Sequence, residues 1–304
     1  MGPAVASRIN NHSFSGIAPS GDLVHFVVEA IPHQLWYVRP DGSQKTKIAD
    51  GTFLSIASNG KNVFWVGNSG LYSMAALGNP QPTTFATNLG MVNELVADAT
   101  DLFATEYDGA GSIRKFSQAG TAAGSYANQG FVRGLSVDGT HLYWSTVSEF
   151  VNYTGRGIWR APKSMGGAVA PVIAAEDFGG PKAVVNYMLV EGSDLFAISF
   201  ETTPVLAYRL LQRPKDGTGT TQVVFTKEQV GAIHADANYL YYSDFENTRP
   251  QAERAQLFRV PRSNLKGAAQ SLYKSSEGIR RIGLDAGNVY AVTTQKIVRI
   301  SKTP

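Results

Sequence analysis

Residues 134–145 read GLSVDGTHLYWS, which is an apolar strand, a polar turn around Asp138 and a second apolar strand. This pattern recurs six more times along the chain, and in every copy an apolar residue stands seven positions before a second one. The seven pairs are Ile17/Val24, Ile56/Val63, Leu95/Leu102, Leu135/Leu142, Met188/Leu195, Ile233/Leu240 and Ile282/Val289. Seven ungapped copies at one offset indicate an internal repeat.

A third strand and a weaker fourth strand follow each copy. The third often ends in a basic residue and a turn, as in LWYVRPDG (35–42) and LLQRPKDG (210–217). Four short strands per repeat of about forty residues are typical of a propeller blade. The sequence therefore predicts an all-β fold, a seven-bladed β-propeller with four-stranded blades. The repeats are expected to start near residues 14, 53, 92, 132, 185, 230 and 279.

The two ends of the chain complete this prediction. The seventh repeat ends after its third strand, and residues 3–10 precede the first repeat without a blade of their own. We expect this N-terminal strand to complete blade 7, because that pairing removes an exposed sheet edge. Residues 1–304 are then predicted to form a single propeller domain.

Composition excludes several classes of protein. Hydrophobic residues make up 43% of the chain and charged residues 17%, so it can bury a core. The absence of cysteine excludes disulfides, thiol catalysis and iron–sulfur clusters. A net charge of +3 predicts no nucleic-acid partner, and apolar runs shorter than a membrane helix predict no membrane span. The N-terminus lacks a signal pattern, so a cytoplasmic location and an extracytoplasmic one after signal removal both stay open.

Stretches such as VDGTHLYWS (137–145), followed by GIWRAPKSMGG (157–167), resemble bacterial propeller repeats of the YWTD/NHL-like group. This likeness covers nearly the whole chain and concerns the fold. The group includes receptor modules, ligand-binding proteins and a few lyases and lactonases, so the resemblance implies a propeller and leaves the activity open.

An acidic residue recurs four positions before the second apolar residue of the repeat. Short polar side chains at tight turns accept hydrogen bonds from the backbone two residues on, so we assign these residues a structural role. They are Asp98, Asp138, Glu191, Asp236 and Asp285, with Asn59 and Ser20 in the other two copies.

Long connections in blades 4 to 6 interrupt the regularity of the repeat. Loops on a rigid scaffold are where binding residues collect, and exposed aromatic side chains beside charges are typical of recognition surfaces. The candidate ligand-binding residues in these connections are Glu149, Phe150, Tyr153, Phe178, Glu201, Asp244, Phe245 and Glu246.

The mouth of the central channel is a second candidate site. Polar residues stand just before the inner-strand apolar position in several blades: Asn93, Glu94, Arg133, Asn186, Tyr187, Arg280 and Arg281. Three arginines in one channel favour an anion such as a carboxylate, sulfate or phosphate, since the guanidinium group binds these with two hydrogen bonds. A water-filled polar channel is the alternative.

Catalytic and metal signals are weak. The five histidines form no metal-binding pair, and His234 is the one histidine that we consider as a base, because it lies on an inner strand. Asn93, Glu94 and Asn186 are weak candidates for a Ca²⁺ site. Ca²⁺ would be a cofactor only if the protein is an enzyme, and no cofactor is expected otherwise. The nearby arginines oppose a cation there.

We predict a non-catalytic propeller that binds a peptide, a protein loop or a small anionic molecule. Aromatic residues would supply apolar contacts, acids would select a cationic or polar group, and arginines would hold an anionic end. A divalent-metal-dependent lyase or lactone hydrolase at the channel is the first alternative. A repeat-type lectin is the second, although its pockets would recur in every blade, whereas the aromatic residues here gather in blades 4 to 6.

Overall fold

A computed structural model describes residues 3–7, 14–51, 53, 55–67, 70–76, 81–107, 110–147, 156–178, 183–201 and 206–303. In this part of the chain, 28 strands form seven four-stranded sheets. The sheets are antiparallel and arranged as a β-propeller, which confirms the fold that the repeat predicts.

Strand β1 (Ala4–Ser7) precedes the first blade. The next strands form blades 1 to 3, four per blade in chain order: β2 (Phe14–Ser20), β3 (Leu23–Val28), β4 (His33–Val38), β5 (Thr46–Gly51), β6 (Ile56–Ser58), β7 (Asn62–Gly67), β8 (Gly70–Ala75), β9 (Thr83–Thr87), β10 (Met91–Ala97), β11 (Asp101–Tyr107), β12 (Ser112–Ser117) and β13 (Ala122–Ala127). Blades 4 to 6 follow with β14 (Phe131–Val137), β15 (His141–Val147), β16 (Gly157–Pro162), β17 (Ala170–Ala174), β18 (Val184–Glu191), β19 (Asp194–Glu201), β20 (Ala207–Pro214), β21 (Gln222–Lys227), β22 (Val230–Ala235), β23 (Tyr239–Phe245), β24 (Ala255–Pro261) and β25 (Gln270–Ser275).

Blade 7 contains β26 (Arg281–Leu284), β27 (Asn288–Val292), β28 (Lys296–Ser301) and β1. Three short 3₁₀ helices connect strands at Ala175–Phe178, Gln251–Glu253 and Arg262–Asn264.

The N-terminal strand completes the last blade. Strand β1 pairs with β28, so that Ala4 stands opposite Val298 and Ala6 opposite Ile297. The Arg299 amide also donates a hydrogen bond to the Pro3 carbonyl over 3.2 Å. The prediction that this strand closes blade 7 is confirmed, while residues 8–10 of the predicted segment lie outside the described part of the chain.

Contacts divide the chain into two compact units, and blade 6 contributes strands to both. The first unit contains Met1–Leu89, Tyr241–Arg259 and Ala269–Pro304, and the second contains Gly90–Leu240 and Val260–Ala268. The prediction of a single domain stays a prediction.

The core of the first unit consists of apolar side chains on the two faces of its sheets. Successive side chains of a strand point to opposite faces. On β3, Val24, Phe26 and Val28 accordingly pack with Tyr290 of β27. Val27 points the other way and packs with Trp65. A core of this kind stabilises the fold by about 2–3 kcal/mol for each fully buried large side chain.

The second unit packs its blades in the same way. Phe103 of blade 3 lies in one buried cluster with Trp144 of blade 4. Tyr143, on the opposite face of the same strand, lies in a second cluster with Val185 and Leu195 of blade 5. Apolar residues on both faces of β15 therefore join blade 4 to blades 3 and 5.

Candidate functional site

Each blade has two different ends. We call the end where the innermost strand begins the loop end, and the end formed by the tight turn between its first two strands the turn end. The acids of the repeat lie at the turn end. In blade 4, Asp138 Oδ1 accepts hydrogen bonds from the Thr140 and His141 amides over 2.7 and 2.8 Å.

The same bonds recur at Asp98, Asp236 and Asp285, and at Asn59. These contacts match the structural role assigned to the acids from the repeat. Burial raises the pKa of Asp138, but hydrogen bonds from Lys215, the backbone amides and Tyr143 outweigh it and leave the pKa well below its ordinary value. The carboxylate is therefore ionised at neutral pH.

The innermost strands of blades 3, 4 and 5 are irregular at their loop ends. Asn93 and Glu94 together face Thr105 of the neighbouring strand, and Arg133 and Gly134 face Ser145. Asn186 is an extra residue between the paired positions Val185 and Tyr187. A β-bulge re-aims side chains and ends regular pairing, and bulges are frequent beside binding sites. The channel-mouth candidates of these three blades thus coincide with bulges, although only the backbone of Asn186 is described.

Gly134 explains the bulge of blade 4. Its φ of +68° is a conformation that side chains disfavour, and a Cβ there would lie 2.9 Å from the Met188 side chain of blade 5. Glycine therefore lets β18 approach β14 closely. The Arg133 side chain next to it is exposed.

Arg133 lies beside an aromatic pair at the loop end. Its guanidinium carbon is 5.5 Å from the centre of the Phe131 ring, and the Tyr107 ring meets Phe131 edge-on with centres 5.6 Å apart. Arg133 makes no hydrogen bond or ion pair with the other residues that the structure describes. Met91 begins the adjacent strand β10 and is 51% exposed. Together Met91, Tyr107, Phe131 and Arg133 form what we call the Arg133 surface.

Asn93 and Glu94 are half-buried. The Glu94 amide donates a hydrogen bond to Thr105 Oγ1 over 3.0 Å, which fixes the backbone of the bulge. Glu106 is ion-paired to Arg114 at 3.2 Å. Its carboxylate also accepts a hydrogen bond from the Gly90 amide.

A second aromatic group lies at the loop end of blade 5. The rings of Phe200 and Tyr208 stack with centres 5.5 Å apart. Burial raises the pKa of Tyr208, and the nearby Tyr187 raises it further. Glu201 is buried, and its carboxylate lies 3.7 Å from Arg209.

Burial removes three of the predicted binding residues from the surface: Glu201, Phe178 and Asp244. Phe178 is fully buried in the core of blades 4 and 5, and its carbonyl accepts a hydrogen bond from Ser199. Asp244 is 2% exposed and both its oxygens are held by Arg249, which also pairs with Glu246 at 2.9 Å. Their residue types are those expected of a recognition surface. In the structure, however, Phe178 packs in the core and Asp244 holds its loop closed through Arg249.

The remaining candidates fall into three groups. Glu149, Phe150 and Tyr153 lie outside the described residues. Phe245 and His234 are half-buried, and His234 Nδ1 contacts the backbone of Ala235. Arg280 and Arg281 are exposed, Arg280 being 3.6 Å from Glu29 and Arg281 donating to the Arg280 carbonyl.

Among the described residues, no three His, Cys, Asp or Glu side chains lie close enough together to hold a metal ion. Within the same residues, no helix has the length and hydropathy needed to cross a lipid bilayer.

The sequence did not single out Met91, Tyr107, Phe131 or Tyr208. Their signal is positional, because they lie at or next to the ends of strands beside the predicted channel-mouth residues.

Comparisons with known proteins identify the fold. No family model matches the chain, and no curated protein matches it. It is similar in structure to 713 chains of solved structures. Among them is the WD40 β-propeller domain of Doa1, with a TM-score of 0.65, 12% identity and coverage of 99% of this chain and 97% of that one.

Two other solved structures are similar to this chain over nearly its whole length. YCF48 bound to D1 peptide has a TM-score of 0.66 and 12% identity, with 98% of this chain and 96% of that chain covered. The β-propeller domain of the Trilobed protease from Pyrococcus furiosus has a TM-score of 0.66 and 10% identity, with 96% and 93% covered. Identities this low show the propeller fold alone.

Proposed function

We propose that this propeller is a non-catalytic binding protein whose Arg133 surface holds a peptide or protein loop through a carboxylate and an adjacent apolar side chain. The observation that carries the proposal is the exposed Arg133 guanidinium group. It lies over the Phe131 ring and has no acidic partner among the described residues. A guanidinium group binds a carboxylate through two parallel hydrogen bonds.

The surroundings of Arg133 fit the apolar part of such a ligand. Phe131 and Tyr107 offer ring faces and edges, and Met91 offers a flexible apolar side chain on the neighbouring strand. Aromatic residues, methionine and arginine are the side chains enriched where proteins bind one another. The peptide carried by the structural neighbour YCF48 supports this class of ligand for a fold of this kind.

Tyr187 and the Phe200–Tyr208 stack extend the proposed surface onto blade 5. Phe178, Asp244 and Glu201 are left out of it, because they are buried. The roles of Asn93, Glu94, Asn186, Phe245, Glu246, Arg280 and Arg281 in ligand binding stay predictions, as does the narrower YWTD/NHL-like resemblance. The lyase or lactone hydrolase stays the alternative.

A peptide array tests the proposal. The probe is a set of short peptides printed once with a free C-terminal carboxylate or an internal Asp or Glu, and once with the corresponding amides. The protein should retain peptides in which a carboxylate neighbours an apolar residue, and Arg133→Gln should weaken their binding at least tenfold.

Lys266→Gln is the matched control, since it removes one exposed positive charge from a turn of the same unit. Equal weakening by Lys266→Gln and Arg133→Gln would reduce the effect to net charge and overturn the proposal. Retention of the amide peptides as strongly as the carboxylates would overturn it as well.

A further inference from the structure

A cation bridges neighbouring blades at the turn end in three places within the second unit. Lys163 Nζ lies 2.6 Å from Asp98, Lys215 Nζ lies 2.7 Å from Asp138, and Arg262 Nη2 lies 2.9 Å from Asp194. In blades 3 and 4 the acid is the turn residue of the repeat, and in blade 5 it is Asp194, the first residue of β19. The cation comes from the turn after the third strand of the next blade.

Strand register defines the position of this cation. Leu195 pairs with Arg213, two residues before Lys215, and Leu142 pairs with Ala161, two residues before Lys163. In blade 1 the equivalent pair is Val24 with Val38. The cation position of blade 1 is therefore Pro40, which carries no charge.

The acid that should face this position is present on blade 7. Asp285 Oδ1 accepts hydrogen bonds from the Gly287 and Asn288 backbone amides, and Tyr290 donates to Oδ2, as Tyr143 does to Asp138. The Asn288 side-chain amide also donates to both carboxylate oxygens, over 3.0 and 3.1 Å, and it is a neutral donor. Asp285 has no ion pair within the described residues. Burial raises its pKa, but these hydrogen bonds outweigh burial and lower the pKa below its ordinary value, so the carboxylate is charged.

A groove lies where the bridging side chain would be. Its volume is about 410 Å³, within the roughly 300–1,000 Å³ usual for ligand sites. Its charged lining residues are Asp22, Asp41, Asp285, Arg39 and Arg299. Pro40 also lines it, which confirms that the vacant cation position faces the groove.

The carboxylates of the groove outnumber its arginines by three to two. Arg299 pairs in register with Tyr290 as Arg160 pairs with Tyr143, and Arg160 donates to the backbone carbonyl of Lys215, whose ammonium group is held by Asp138. Arg39 donates to Gln44 over 2.7 Å and keeps its charge. The same combination of arginine, tyrosine and aspartate thus already accommodates an ammonium group elsewhere in the chain.

Blades 1 and 2 carry neither the acid nor the cation of this bridge. In blade 1 the acid position holds Ser20, and register places Ala76 at the cation position of blade 2. Where the acid is absent, the cation is absent too. Asp285 departs from this rule, because it keeps the acid opposite an uncharged position.

We propose that the groove between Asp285 and Pro40 binds an alkylammonium group, as carried by a lysine side chain of a partner or by a free amine. The chain's own lysines, held by the equivalent acids of blades 3 and 4, assign the ligand. The site is separate from the Arg133 surface in its residues and prefers the opposite charge.

NMR with two probes tests this proposal. The full chain, labelled with ¹⁵N, is titrated with n-butylammonium chloride and with the blocked tripeptide Gly-Lys-Gly, against sodium chloride of equal ionic strength. The Gly287 and Asn288 amides should shift and saturate in the millimolar range. The Thr140 and His141 amides, which donate to the already occupied Asp138, should not.

Variants localise the effect. Pro40→Lys should place an ammonium group on Asp285, abolish the shifts and raise the melting temperature by roughly 2 °C. Pro40→Ala changes the same position without the charge and should keep the binding. Asp285→Asn keeps an acceptor for the backbone amides and should weaken binding about tenfold.

The two probes distinguish the sources of the ammonium group. Saturation with the tripeptide alone would identify a partner's lysine as the source, and saturation with butylammonium alone would identify a small amine. Shifts that are linear, equal at Thr140 and Gly287, or unchanged in Pro40→Lys would overturn the proposal. None of these readouts depends on peptide binding by the Arg133 surface.

Discussion

The turn end and the loop end of the blades use the same residue types for different purposes. At the turn end, Asp138 is held by two backbone amides, a tyrosine and a lysine. At the loop end, Arg133 touches a ring and has no acidic partner in the part of the chain described. A charged group that the fold has satisfied is structural, and one that the fold leaves exposed is available to a ligand. Five experiments test this distinction.

Phe178→Ala should have the largest effect, although Phe178 lies in a connection at the loop end. Removing a fully buried ring from the core of blades 4 and 5 should lower the free energy of unfolding by about 4 kcal/mol. Urea denaturation followed by tryptophan fluorescence measures it. A loss below about 1 kcal/mol would return Phe178 to the binding surface.

Acid should destabilise the first unit through His25. This residue is fully buried, and burial lowers its pKa from 6.5 to about 4, which outweighs the opposite effect of the Ala18 backbone. The folded protein then binds fewer protons than the unfolded chain, so stability is complete above pH 6.5 and falls as the pH approaches 4. The expected loss is about 3 kcal/mol.

Urea denaturation between pH 7 and 4 measures this loss, with His25→Phe as the control. The control should be nearly insensitive to pH in that window. At lower pH, the carboxylates with lowered pKa values, Asp98, Asp138 and Asp285, should add a separate loss in both proteins. An unchanged pH profile in His25→Phe would contradict the assignment.

Asp138→Asn should cost about 2 kcal/mol of unfolding free energy. The amide keeps an acceptor for Thr140 and His141 but loses the ion pair to Lys215. Thermal unfolding measures the loss, and Asp216→Asn, at an exposed turn acid next to Lys215, is the control. Equal effects of the two substitutions would show that the inter-blade bridge does not stabilise the fold.

Arg133→Gln should change stability by less than about 0.5 kcal/mol, because the side chain is exposed. The same urea titration measures it. Loss of peptide binding together with a small change in stability would distinguish a ligand contact from a structural one. A loss of 2 kcal/mol or more would remove the contrast between the two ends.

EDTA should have the smallest effect. Of the three proposed metal ligands Asn93, Glu94 and Asn186, one is a carboxylate, whereas tight Ca²⁺ sites use several oxygen ligands with multiple charges. We expect the same melting temperature with EDTA and with added Ca²⁺. A drop with EDTA that Ca²⁺ restores would favour the metal-dependent enzyme instead.

Much of the fold was predictable, and much less of the site. The offset of seven between apolar residues is local information, because it reflects two strands joined by one tight turn. The pairing of β1 with β28 followed from counting strands. By contrast, Phe178 and Phe131 are both phenylalanines near loop-end connections, and composition ranks them alike. One is buried and the other contacts Arg133, which depends on what packs beside each ring.

The sequence by itself determined the blades, their number, the closing strand and the turn acids, since each depends on residues close in sequence or on a repeating count. The tertiary structure decided which charges are paired. Asp244, Asp285 and Arg133 are ordinary charged residues in the sequence, and their roles differ because Arg249 holds the first, Pro40 faces the groove beside the second, and the bulge at Gly134 exposes the third. No fixed sequence spacing relates these charged residues to the groups that pair with them or lie beside them. The folded chain alone decides which groups meet.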